Sequence, residues 1–138
     1  MLRRTILALL VGSSMVATAE AAGNLATKPT RLEVAIDKNL QFSKKEFELE
    51  TGKYYRLTVE SKAGDEVMFV SPELFRNAWI SQIVIAGIEV HPMGGIEGIE
   101  FDEDGKVDIY FVPIRPGDFG FALKGHEARG AAGKFVVR

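Results

Sequence analysis

Apolar and polar residues alternate with a period of two in one short run after another along this chain. Leu32, Val34 and Ile36 are separated by Glu33 and Ala35, and Phe47 and Leu49 by Glu46, Glu48 and Glu50. This pattern puts apolar groups on one face of an extended strand and charges on the other. Thr51-Gly52-Lys53 turns the chain into a further run in which Tyr55, Leu57 and Val59 share a face. Val67 and Phe69 then face away from Glu66, Met68 and Val70. Ser71-Pro72-Glu73 predicts a helix start, with Ser as N-cap, Pro in the first helical position and an acid in the first turn. Leu74, Phe75, Ala78 and Trp79 would line one side of that helix and lie against a sheet. Ile83 to Val90 reads as an inner strand and Ile99 to Phe101 as a short pairing segment. Asp104-Gly105 has the chemistry of a tight hairpin turn. Beyond it, Val107, Ile109 and Phe111 point inward, Phe119 and Phe121 occupy a penultimate strand, and Phe135-Val136-Val137 closes the chain. Short strands separated by turns predict an all-β sandwich with a short helix between its middle strands.

The first residues follow a different rule. Arg3 and Arg4 precede an apolar run, Ile6 to Val16, and Ala19-Glu20-Ala21 has the small-x-small form of a cleavage site. Residues 1–21 read as a secretory signal peptide. The run falls short of the roughly 20 apolar residues a spanning helix needs. Residues 22–30 read as a flexible leader and 31–138 as one domain. Export, to the periplasm in a bacterium, is therefore expected. The chain has no cysteine, so it has no disulfide, no thiolate ligand, no thiol nucleophile and no lipoprotein anchor. The formal charge is −2. That mild acidity excludes the basic face a nucleic-acid-binding protein requires.

Arg115-Pro116-Gly117-Asp118-Phe119-Gly120-Phe121, followed by Gly125-His126-Glu127 and Gly130 to Val137, resembles the metal loop of the cupredoxins. The resemblance extends back through Val107 to Pro113, Phe69 to Phe75 and Gly52 to Leu57, nearly the whole domain. It implies a Greek-key β-sandwich. A blue copper site in that family uses two His, a Cys thiolate and a weak axial Met. Carried onto this chain, the late His is His126, the Cys falls at Phe121 or Ala122, the Met at Ala131 and the early His at Val67. With no sulfur anion available, a blue copper electron carrier is excluded.

Several donors remain. His126 and Glu127 lie in the surviving loop, Glu66 and Met68 flank the lost early His, and His91-Pro92-Met93 sets an imidazole and a thioether two residues apart. Imidazole with thioether suits Cu(I), and imidazole with carboxylates suits iron or Cu(II). One expectation is therefore a non-blue, cysteine-free copper or iron site drawn from His126, His91, Met93, Met68 and Glu66. The resemblance adds a role for such a site, in copper handling or as an accessory of ferrous-iron uptake beside an inner-membrane permease, with ferroxidase turnover as a further option. The opposing expectation is a metal-free interaction module whose old ligand pocket is filled by apolar groups such as Phe121. The acidic run from Glu97 to Asp104 lacks the oxygen-ligand spacing of a calcium loop. Gly94-Gly95-Ile96-Glu97-Gly98 lacks the Lys of a phosphate-binding loop.

Overall fold

A computed structural model of the chain describes residues 27–138. The expected signal peptide and the first half of the leader lie outside the described residues. The strands are β1 (Thr30–Ile36), β2 (Glu46–Leu49), β3 (Tyr55–Ser61), β4 (Val67–Val70), β5 (Ala78–Ile85), β6 (Ile88–Val90), β7 (Gly98–Phe101), β8 (Gly105–Pro113), β9 (Gly117–Leu123) and β10 (Ala132–Val137). A short helix, α1 (Pro72–Arg76), lies between β4 and β5, and a single 3-10 turn, Glu127–Arg129, between β9 and β10. Two five-stranded sheets result, ordered β1-β3-β8-β5-β6 and β2-β10-β9-β4-β7. The chain passes between them repeatedly, as a Greek-key sandwich requires.

Alternation places the core. Leu57, Val59, Ile109 and Phe111 from the first sheet meet Phe69, Phe121, Leu123 and Phe135 from the second, all nearly free of solvent contact. Such inward faces drive folding by removing apolar surface from water, about 25 cal/mol per Å².

Four local expectations need correction. The helix is only five residues long, so Ala78 and Trp79 belong to β5 and not to a helical face. Asn77 closes it, its backbone N–H donating to the carbonyls of Glu73 and Leu74. Beyond that point Ile80, Ile83, Val84 and Ile85 are β-branched and pair with β8, which favours strand over helix. Ser71 does not cap the helix with its side chain. It is fully buried, and its hydroxyl donates across the sheet to the Gly120 carbonyl at 2.9 Å. Ser71→Ala should lower stability by about 1 kcal/mol by urea titration, the ordinary worth of one such bond. Asp104-Gly105 does not close a hairpin, because β7 pairs with β4 in one sheet while β8 pairs with β3 and β5 in the other.

The segment Ile83–Val90, expected as one strand, is folded back on itself. Ala86 and Gly87 both have positive φ, 49° and 82°, the signature of a two-residue hairpin turn. Ala86 is an unusual residue for that conformation. A second irregularity, a register shift between Ile80 and Gln82, leaves Ser81 as the extra residue of a bulge. Both features shape the edge on which His91 sits.

Candidate functional site

The resemblance to cupredoxins would put a metal at the turn between β9 and β10. Gly125 and Gly130 adopt the left-handed conformation that lets this turn close, with φ of 84° and 79°. The His126 amide donates to the Leu123 carbonyl at 2.9 Å, and the His126 carbonyl accepts from Arg129 and Ala131. Neighbours pin the turn from outside: Lys45 Nζ donates to the Gly130 carbonyl at 2.8 Å and Gln41 Nε2 to that of Arg129 at 3.3 Å. Lys124 pairs with Glu97 at 2.9 Å, and that hydrogen bond raises the lysine pKa, keeping it charged. His126 is half-buried, and its imidazole makes no hydrogen bond or ion pair with another described residue.

Beneath the turn the family's other ligand positions carry hydrocarbon. Val67 and Ala131 are buried, and Phe121 is 2 % exposed. The Phe121 ring lies 4.9 Å from Phe135, 5.0 Å from Phe42, 5.6 Å from Phe69 and 6.0 Å from Phe47, centroid to centroid. It is the hub of a five-ring cluster between the sheets. Tilted and edge-on contacts of this kind are favourable beyond the area they bury. Of the two positions to which the family's Cys was carried, Phe121 faces this core, whereas Ala122 is only half-buried. The donor set does not fit a blue copper ion: one imidazole is left, and the other ligand positions hold an aromatic ring and aliphatic groups.

The remaining predicted donors are dispersed. Met68 is half-buried in β4 opposite Glu100, with Phe69 and Val67 turned the other way, into the core. Glu66 is exposed in the turn before β4. His91 follows β6, on the first sheet, whereas His126 follows β9 on the second. The bulge at Ser81 gives His91 its place, since the Ser81 carbonyl accepts from His91 Nδ1 at 3.1 Å. The other ring nitrogen, Nε2, lies 3.6 Å from Glu89 Oε2. Met93 is fully exposed and lines a groove of about 740 Å³ with Phe75, Trp79 and Ile96. Among the described residues no three His, Cys, Asp or Glu side chains come together as a metal cluster.

The aromatic cluster is not legible in the sequence as a unit. Phe42 lies outside any strand, joined to Ile36 by an isolated bridge, and no alternation marks it. A signal did exist in Gly133, which pairs with Phe121 across β9 and β10. A Cβ there would lie 2.3 Å from the Phe121 ring, so the glycine makes room for it.

No protein-family model matches this sequence, and neither does any curated protein. Solved structures do match its shape. Reduced auracyanin from Roseiflexus castenholzii aligns with a TM-score of 0.53 at 21 % identity, over 81 % of this chain and 99 % of its own. A laccase from Pediococcus acidilactici aligns at 0.64 with 12 % identity, over 94 % of this chain and 31 % of its own. The Cu-containing nitrite reductase from Thermus scotoductus gives 0.58 at 14 %, over 83 % and 32 %. The chain thus spans nearly all of the auracyanin and about a third of the two larger enzymes. Its fold is cupredoxin-like.

Proposed function

We propose that this cupredoxin-like sandwich is an exported interaction module, docking on a membrane permease, an oxidase subunit or another exported protein. The observation that carries this reading is Phe121, buried as the hub of five rings where the expected ligand pocket would need an anionic sulfur. A pocket filled by close-packed aromatics stabilises the fold and leaves no space for a coordination sphere. What survives of the family is then a rigid scaffold, and function moves to its surface. The test is elemental analysis of the full chain purified from its native compartment, followed by titration with Cu(II), Cu(I) and Fe(II). Substoichiometric metal is expected, with no affinity that depends on His126. Stoichiometric copper or iron lost in His126→Ala would reject the module reading.

One observation favours a second reading, a peripheral copper or iron site. His91 donates its Nδ1 proton to a backbone carbonyl, the arrangement that fixes a ligating imidazole, and leaves Nε2 beside the Glu89 carboxylate. Met93 adds an exposed thioether two residues on. Such a site would serve copper handling or ferrous-iron uptake. It predicts metal binding abolished by His91→Ala and untouched by His126→Ala.

A further inference from the structure

Among the described residues β6 ends the first sheet and β7 the second, and residues beside both edges line one cleft. Between the β5–β6 turn and the β7–β8 connection lies a cleft of about 920 Å³, lined by Ile85, Ile99, Phe101 and Val107 among others. In the β5–β6 ladder Ile83 pairs with Val90 and Ile85 with Ile88, so Ile88 and Val90 share the face of core residue Ile83. The second sheet does not reach far enough to cover them. Ile88 is 67 % exposed, Val90 45 % and Ile85 42 %. An inward-facing apolar surface is thereby left uncovered among the described residues.

β6 is paired with β5 on one side, and its outer edge has no neighbouring strand among the described residues. In a two-residue hairpin the pair next to the turn, here Ile85 and Ile88, is hydrogen-bonded, and the following pair, Val84 and Glu89, is not. The Glu89 N–H and C=O therefore point outward from the sheet edge. An exposed edge with apolar side chains is a template for another strand unless charge or proline blunts it. β6 itself carries neither a lysine nor a proline. Glu89 is exposed on the strand, and the cleft that opens at the adjoining Ala86-Gly87 turn carries Glu100, Asp102, Glu103 and Asp104 against Lys106.

We propose that the β6 edge is a docking site for an extended segment of a partner protein in which apolar residues alternate with Lys or Arg. The segment adds a sixth strand to the first sheet, its backbone pairing with Glu89. Its apolar side chains continue the Ile88 and Val90 face into the cleft. Its basic side chains alternate onto the opposite face, where Glu89 lies, and the carboxylates of the cleft attract them at longer range. Main-chain bonds would supply affinity in this mode and alternate side chains specificity. This inference rests on the module reading, and names the surface and the partner chemistry that reading leaves open.

The test uses the full-length exported chain and a short synthetic peptide alternating Val and Lys, compared with a peptide in which every Lys is Glu. Expected are amide shifts confined to Ile88–His91 and the cleft, and binding of the Glu peptide weaker by about tenfold or more. Added salt should weaken binding of the Lys peptide. Ile88→Glu should abolish binding while Ile114→Glu, exposed outside the cleft, leaves it intact. Equal binding of both peptides, shifts centred elsewhere, or no binding at millimolar peptide would each overturn the proposal. So would concentration-dependent dimerisation abolished by Ile88→Glu, which would make a second copy the occupant. Because the peptide map is made on the unsubstituted protein, a variant that fails to fold does not decide the matter. Failure here with metal-free protein leaves the module reading standing, whereas stoichiometric His126-dependent metal removes that reading whatever the peptides do.

Discussion

Phe121→Ala should lower the unfolding free energy by about 3–5 kcal/mol, the cost of removing a fully buried aromatic and leaving a cavity among groups that cannot collapse into it. The four rings around Phe121 come from β2, β4, β10 and the Phe42 loop, so no single element can move inward without breaking its own ladder. A domain of this size is stable by only about 5–15 kcal/mol, so the loss is a large share of the whole. The melting temperature should fall by roughly 15 °C. Urea unfolding followed by Trp79 fluorescence measures the change, and an unaltered m-value would show that the native fold persists. A loss below about 1 kcal/mol would mean the site relaxes freely and that the cluster is not the tight unit described. Phe121→Cys adds a second readout. With valine and alanine at the other family positions and His126 as the one ligand left, the variant should show no intense blue absorption with Cu(II).

Alternation of residue type revealed the sheets, because half-buried strands must alternate if one face is to be dry. Every inward residue expected in β1, β2, β3, β8 and β9 is buried. The same logic failed where burial on the inner side does not occur. Ile85, Ile88 and Val90 have the composition of core residues, yet they overhang the second sheet and remain exposed. Composition records a strand's preferred environment and not whether a partner reaches it. The turn at Ala86-Gly87 was hidden for a related reason, since alanine carries no conformational signal for positive φ. The apparent hairpin at Asp104-Gly105 shows the converse: turn chemistry marks where the chain bends, while the sheet each flanking strand joins depends on distant pairing.

The absence of cysteine is visible in the sequence and excludes blue copper without any coordinates. Phe121 was legible as a filler of the corner, but the rings that join it are a tertiary fact, because Phe42, Phe47, Phe69 and Phe135 converge on it from segments spread over most of the domain. The position of His91 is likewise tertiary. Its hold on Ser81 depends on a bulge that frees one carbonyl, and nothing in the run Ala78–Ile85 announces that bulge.

Gly133→Ala tests the same corner from the opposite side. A single added methyl would stand 2.3 Å from Phe121 Cζ and 2.5 Å from the Lys45 carbonyl oxygen. Both are well inside van der Waals contact. The ring can tilt, but the carbonyl is fixed, because it accepts the Lys134 amide at 2.8 Å where β10 runs beside β2. Overpacking of this kind costs about 1–3 kcal/mol, and the immovable backbone contact puts the expected loss at the upper end. The two obstacles can be separated with Phe121→Leu, which removes ring atoms and leaves the carbonyl in place. In that background Gly133→Ala should cost about 1 kcal/mol less than in the parent, a coupling typical of touching residues. It should still cost something, because the Lys45 oxygen has not moved. Additive losses would show that the ring yields at no expense and that the strain lies entirely in the β2–β10 ladder. A neutral Gly133→Ala would contradict the packing of Phe121 over β10.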